Sequence, residues 1–307
     1  MRKIIGLGET VFDIIFKNEQ PISGRPGGSV FNSLISLGRL GQNTTFISEF
    51  GADRIGDSIK KFLAENNVGS DYVCMMDGNK TSLALAFLDE EQKADYLFYK
   101  DYPSQRLDCV MPEINQDDIV LIGSFFALNP VLRNRLVEVL EEARSKKAIV
   151  YYDVNFRKTH VNEVRHLMPY ILENFEYSSI IKGSDEDFEN IYNESDPNAI
   201  YKDRIEFYCK NFIYTKGADG AKIFGNGFEK DYHGNKIDPV STVGAGDSFN
   251  AGIVFGLMKH NVTFEELKNG ISEEKWDSIA KYAIDFSSFV CTTYENYISE
   301  EFAAKQV

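Results

Sequence analysis

The chain is short of positive charge, of histidine, of closely spaced cysteines and of long apolar runs, and each shortage removes a class of function. Its 33 lysines and arginines face 47 acids, a formal net charge of −14 over 307 residues. No broad basic surface is therefore available to collect nucleic acid or anionic lipid. The four histidines, His160, His166, His233 and His260, show no metal spacing. The four cysteines, Cys74, Cys109, Cys209 and Cys291, form no C-x-x-C or C-x-H pattern, so we expect buried apolar thiols and neither a zinc site nor a disulfide framework. No apolar stretch is long enough to span a bilayer, and residues 1–6 pass directly into a strand-like run without a signal-peptide core. A soluble, cytoplasmic protein is the expectation. Repeats and low-complexity linkers are missing too, and no G-x-G-x-x-G opens the first helix, which argues against a dinucleotide-dependent dehydrogenase.

What the chain does have is glycine in meaningful places. Residues 240–252 read VSTVGAGDSFNAG, and apolar residues at helical spacing follow (Phe249, Ile253, Val254, Leu257). Gly244, Ala245 and Gly246 would then form a turn at a helix N-terminus, where free N–H groups and the helix dipole converge on an anion. Asp247 beside that cradle reads in two ways. It is either a helix-capping acid or a general base that takes a proton from an attacking hydroxyl while the N–H groups stabilise a transferred phosphoryl group. A second glycine run, Gly24 to Gly28, reads as a turn into a helix carrying Leu34, Ile35, Leu37 and Leu40. Asn32 on that helix offers donors and an acceptor suited to hydroxyl groups.

From Ile119 onward strands alternate with helices, which predicts a mostly parallel sheet covered on both faces. Its carboxyl edge would carry Asp153, Asn155 and Arg157, where ligands of such sheets bind. Arg157 reads either as a donor fork for a substrate or phosphate or as a structural partner of Asp153. Residues 81–99 read as a hairpin with a charged turn. The segment from Glu295 to Val307 reads as a polar tail.

The run 240–252 resembles the C-terminal signature D-T-x-G-A-G-D-x-F-x-x-G of the ribokinase-type (PfkB) carbohydrate kinases, with Ser241 where the family usually has Asp. Gly27, Gly28, Asn32, Gly51 and Gly56 follow the family's N-terminal pattern, and Ser29 occupies the place of a lysine that ribokinases proper carry. Asp153-x-Asn155-x-Arg157 is similar to a motif of the fructokinase and ketodeoxygluconate kinase branches. Thr215, Gly217 and Gly220 are similar to T-x-G-x-x-G along the nucleotide, and Ser184-x-x-Asp187 to the family's N-x-x-E.

The resemblance implies a single ribokinase-like three-layer α/β domain over 1–307, with a mostly parallel central sheet and a small β lid from about 10–22 and 81–102. It implies an ATP-dependent sugar kinase, fructokinase-like, with ribose, ketodeoxygluconate or a nucleoside as other acceptors. Asp13, Gly27, Gly28, Asn32 and Arg157 would bind the sugar. Thr215, Gly217, Gly220 and Lys182 would bind ATP, with residues 283–294 closing over adenine. Asp247 with Gly244, Ala245 and Gly246 would do the chemistry. Asp187 would act on Mg²⁺ through water, and Ser241 would weaken a monovalent-cation (K⁺) site. Lys100 could reach the site from the lid or sit in solvent, and the lid could form a homodimer. A catalytically silent sugar or nucleotide sensor on the same fold is the rival that Ser241 and Ser184 leave open.

Overall fold

The computed structural model describes residues 2–88, 94–103 and 106–306. Its strands are β1 (Ile4–Leu7), β2 (Val11–Lys17), β3 (Gln20–Gly27), β4 (Thr44–Gly51), β5 (Val68–Gly69), β6 (Val73–Met76), β7 (Leu83–Leu88), β8 (Ala94–Tyr99), β9 (Ile119–Gly123), β10 (Ile149–Asp153), β11 (Ile180–Ser184), β12 (Phe212–Thr215), β13 (Ala221–Gly225) and β14 (Phe228–Tyr232). Its helices are α1 (Ser29–Arg39), α2 (Arg54–Glu65), α3 (Arg133–Ser145), α4 (Val164–Tyr177), α5 (Asp185–Tyr192), α6 (Pro197–Ile200), α7 (Ala245–Lys259), α8 (Phe264–Asn269), α9 (Glu273–Cys291) and α10 (Glu300–Ala304).

The large sheet runs β14-β13-β12-β11-β10-β9-β1-β4-β5, with β6 also paired to β4. Pairings from β12 through β10, β9 and β1 to β4 are parallel, and β13 and β14 close one edge antiparallel. Both faces are apolar because successive side chains point to opposite sides. In β9, Ile119 and Leu121 join the core beneath α1, α7 and α9, while Val120 and Ile122 join the core beneath α3 and α4. Strand β10 splits the same way, Tyr151 to one core and Tyr152 to the other.

Helix α7 is packed closely enough on α9 to need glycine. A Cβ on Gly252 would lie 2.4 Å from the Ala283 Cα, and one on Gly256 3.0 Å from the Ile279 Cα. This contact seats the N-terminus of α7 at the carboxyl edge of the sheet.

A second sheet, β3-β2-β7-β8, stands apart from the first. Strands β2 and β3 are antiparallel, as are β7 and β8, and β2 runs parallel to β7. Its strands overlap the segments 10–22 and 81–102 expected to form a lid, with β3 running on to Gly27; this sheet is called the lid as a label for its position. The run Gly24–Gly27, expected as a turn, is instead the end of β3, because its backbone pairs with β2 from Val11 to Ile14. The charged hairpin turn, residues 89–93, lies outside the described residues.

Two expectations are corrected. Cys74 in β6 and Cys109 form a disulfide across 35 residues, while Cys209 and Cys291 are free and buried. No local spacing announces this pair; the fold brings the segment after β8 back beside β6. The expected polar tail is also not loose. Tyr297, Ile298 and Ala303 are buried, and Phe302 stacks on Phe289 of α9, so the apolar side chains of 297–303 complete the core around α1 and α9. Among the described residues no helix is long and apolar enough to cross a membrane.

Candidate active site

Helix α7 opens at Gly244, which takes φ 79° and makes no side-chain cap. A side chain there is doubly excluded, by the positive φ and by the Asn296 carbonyl oxygen, 2.3 Å from where a Cβ would stand. Ala245, Gly246 and Asp247 form the first helical turn; the Ala245 N–H donates to the Thr242 carbonyl at 3.2 Å, which leaves the Gly246 and Asp247 N–H groups as the open donors of a helix N-terminus. Ser241, in the approach, turns back through its hydroxyl to accept the Val243 N–H, and the Val240 and Ser241 N–H groups bond to the Cys291 carbonyl at the end of α9.

Asp247 is not a helix cap. Its two oxygens face away from its own turn and accept from α1: Ser29 Oγ donates to Oδ1 at 2.8 Å and Asn32 Nδ2 to Oδ2 at 2.8 Å. Ser33 Oγ donates to the Asp247 backbone carbonyl at 2.8 Å. Residues 29, 32 and 33 share one helix face because they are spaced i, i+3, i+4. Although the residue as a whole is only half-buried, its carboxyl is removed from water, and this desolvation pushes its pKa up to about 6 against the lowering effect of the Asn32 and Ser29 hydrogen bonds. Arg157, exposed beyond β10, adds a further lowering influence. A carboxylate tuned toward neutrality is better suited to accept a proton than an ordinary surface acid.

Beneath the cradle lies a buried polar chain. Lys182 in β11 sits opposite Asp153 in β10, and Nζ donates to Asp153 Oδ1 at 3.0 Å. Asn250 Nδ2 donates to Asp153 Oδ2 at 2.7 Å, and the Tyr151 hydroxyl bonds Asn250 Oδ1 at 3.0 Å. Lys182 Nζ stands 3.7 Å from the position of a Cβ on Gly246. Asp153 is thus paired to Lys182 and Asn250 rather than to Arg157, which removes the structural reading of Arg157.

Asp13 lies in β2 directly across from Arg25 in β3. Its Oδ2 comes within 2.2 Å of where a Gly27 Cβ would be, so the glycine leaves room for the carboxylate to reach past the strand. Burial pushes the Asp13 pKa up to about 6, opposed by Arg25. Gly28, at φ 142°, packs against the Glu9 carbonyl. Lys100 is not a free surface cation: it pairs with Glu9 at 2.7 Å, joining the lid to the end of β1.

Asp187 closes a capping box with Ser184. Its Oδ1 accepts the Phe156 N–H at 2.6 Å and its Oδ2 the Ser184 N–H at 2.7 Å. Thr215 ends β12, and Gly217 and Gly220 shape the turn to β13. At Gly220 the Tyr232 carbonyl leaves no space for a side chain. Beyond that turn a cleft is lined by Asn235 and Ile237 together with Ser288 and Thr292, the latter two from the segment expected to close over adenine. Among the described residues no group of three or more His, Cys, Asp or Glu could hold a metal ion.

The structure therefore gathers Gly244 to Asp247, Asn32, Lys182 and Asp187 at one edge of the sheet, and places Asp13 and Gly27 on the second sheet and Gly28 at the start of α1. The sequence reading missed Ser29 as a donor to Asp247, seeing only the lysine it replaces. The i, i+3, i+4 spacing of Ser29, Asn32 and Ser33 was the available signal.

A helix N-terminus with an anion cradle, a buried carboxylate beside it and a lid bearing a second carboxylate define an α/β phosphotransferase. The sequence profile described as pfkB family carbohydrate kinase matches residues 1–302. The chain belongs to the PfkB family of carbohydrate kinases, phosphotransferases with an alcohol group as acceptor. A fructokinase of Rhizobium leguminosarum bv. trifolii is 27% identical over 278 residues, covering 88% of this chain and 84% of that protein. The probable fructokinase-6, chloroplastic, of Arabidopsis thaliana is 28% identical over 76% of this chain, which spans 62% of that protein. A 5-dehydro-2-deoxygluconokinase 2 of Bacillus cereus is 28% identical over 76% of this chain and 74% of its own length. Among solved structures, a Vibrio cholerae fructokinase double mutant with fructose, ADP and potassium ion bound superimposes with a TM-score of 0.83 at 18% identity, covering 98% of this chain and 95% of that one. The fold is ribokinase-like.

On the expectation that Asp13 binds the sugar and Asp247 takes its proton, protonation of either removes a charge the reaction needs. With both raised to about 6, kcat/KM should decline as pH falls through about 6 and hold a plateau above it. A rate profile flat down to pH 4.5 would contradict this assignment.

Proposed function

We propose that the protein transfers the γ-phosphate of ATP to a hydroxyl of a small sugar, fructose being the first candidate. The observation that carries this reading is the Asp247 carboxylate, held between α1 and the N-terminus of α7 with its pKa raised to about 6. Asp247 accepts the proton of the substrate hydroxyl as that oxygen attacks phosphorus. The N–H groups of Gly246 and Asp247, on the turn that Gly244 and Ala245 shape, stabilise the charge on the transferred phosphoryl group. Asp13 on the lid orients the sugar through its hydroxyls, with Gly27 and Gly28 letting it approach the backbone. Asn32 Oδ1 is buried without a partner in the structure, which leaves an acceptor for a further hydroxyl. Arg157 stands where it can meet a phosphate or the sugar. Thr215, Gly217 and Gly220 flank the nucleotide, the cleft at Ser288 and Thr292 takes adenine, and Lys182 supports the cradle from below.

Magnesium fits this site only as an ion that arrives with the nucleotide. Asp187 already accepts a backbone N–H on each oxygen, so its remaining lone pairs can order a metal-bound water but cannot supply an inner coordination sphere. When bound, the ion would neutralise charge on the phosphates. Fructose is favoured by the names of several relatives and by Ser29, while the 5-dehydro-2-deoxygluconokinase keeps a sugar acid open as the second reading. Ile22, Leu97, Phe98 and Tyr99 of the lid are exposed, with Leu97 and Tyr99 on one side of β8 and Phe98 on the other, which supports a homodimer through the lid.

Asp247→Asn should lower kcat by about 10²–10⁴-fold while dissociation constants for sugar and nucleotide stay near those of the native protein. Near-normal turnover in that variant would remove Asp247 from the chemistry, and failure of every sugar in an ADP-release panel would favour the silent sensor. Ser241 places a hydroxyl where the family usually has a carboxylate, so exchanging K⁺ for Na⁺ should change the rate only a fewfold. A strong K⁺ requirement with an ion ordered at this loop would contradict that expectation.

A further inference from the structure

We propose that Arg25 is a positioning residue that couples occupancy of the sugar site on the lid to ordering of the phosphate cradle at α7. The proposal rests on the kinase reading above and adds a route by which the two substrates sense each other. Arg25 is on β3, opposite Asp13, and its positive charge is the opposing influence on that otherwise desolvated carboxylate. The same guanidinium leaves the lid. Nη1 donates to the Tyr294 carbonyl at 2.8 Å and stands 3.5 Å from Glu295 Oε2. The Arg25 side chain is 18% exposed and that of Glu295 52%, so the ion pair itself contributes little and the grip rests on the hydrogen bond to the Tyr294 carbonyl.

The segment it grips is the wall of the cradle. Asn296, next along the chain, has its carbonyl 2.3 Å from where a Gly244 Cβ would be. At its other end the Cys291 carbonyl holds the N–H groups of Val240 and Ser241. Residues 291–296 therefore touch the approach to the cradle at both ends, and Arg25 is the lid's polar grip on them. A planar fork with several donors can face a carboxylate and hold a carbonyl together. Sugar bound to Asp13 fixes β2 and β3, and the fork transmits that position to the 294–296 backbone and so to Gly244. Linkage makes the effect reciprocal: a nucleotide seated in the cradle must favour sugar binding by the same factor.

The test is calorimetric titration of the full chain with the sugar most active in the panel, alone and with a non-hydrolysable ATP analogue and Mg²⁺ present, and the reverse titration. The native protein should bind each ligand more tightly in the presence of the other, by the same factor, within the usual range of about 5- to 150-fold. In Arg25→Met that factor should collapse towards one. Arg25→Lys keeps a cation beside Asp13 but loses the fork, so it should retain most of the sugar affinity of the native protein while losing most of the coupling. Equal coupling in all three proteins, or none in the native protein, overturns the proposal. Absence of binding by either ligand alone would instead strike the kinase reading on which it rests.

Discussion

The site depends on one contact between two helices far apart in the chain. The carboxylate of Asp247, in the first turn of α7, is held at 2.8 Å by Ser29 and at 2.8 Å by Asn32, both on α1. A carboxylate withdrawn from water is costly unless its lone pairs are engaged, and these two donors are what make the position tenable. They also fix where it points. Had the side chain folded back onto its own N–H groups, it would have been a cap and nothing more. Because α1 takes it, the Gly246 and Asp247 N–H groups of the same turn are left open, with the carboxylate beside them.

Everything below that contact serves to hold it still. Glycines at 252 and 256 let α7 settle onto α9 at near backbone distance, and the Lys182–Asp153–Asn250–Tyr151 chain ties the underside of α7 to the sheet. A buried ion pair of this kind adds little net stability against an apolar replacement, so its value here is positional. The lid carries Asp13. Two acids with similarly raised pKa values thus stand on separate parts of the fold, Asp13 on the lid and Asp247 on α7, and the proposed function gives one the orienting of a hydroxyl group and the other the taking of its proton.

Much of this was legible before any coordinates. The alternation of strands and helices from Ile119 foretold the parallel sheet, and residues 240–252 foretold a glycine turn into an apolar helix, though from spacing alone that turn read equally as a cap or as an anion cradle. What could not be read were contacts made by folding. Cys74 and Cys109 meet only because the chain returns from β8 past β6. Tyr297, Ile298 and Phe302 looked like part of a polar tail because Glu295, Glu300 and Glu301 stand among them in sequence, whereas the helix of Glu300–Ala304 buries Ala303. Ser29 was noticed for what it replaced and not for its hydroxyl, since nothing local says that its acceptor lies 218 residues away.

The most direct measurement is the pH dependence of kcat in Ser29→Ala. Losing a hydrogen bond to the ionised carboxylate makes that form less favourable, so the acid limb of the profile should move upward from about 6 while sugar and nucleotide affinities are little changed. An acid limb that stays in place, with turnover intact, would mean that the carboxylate between α1 and α7 is not the group that takes the proton.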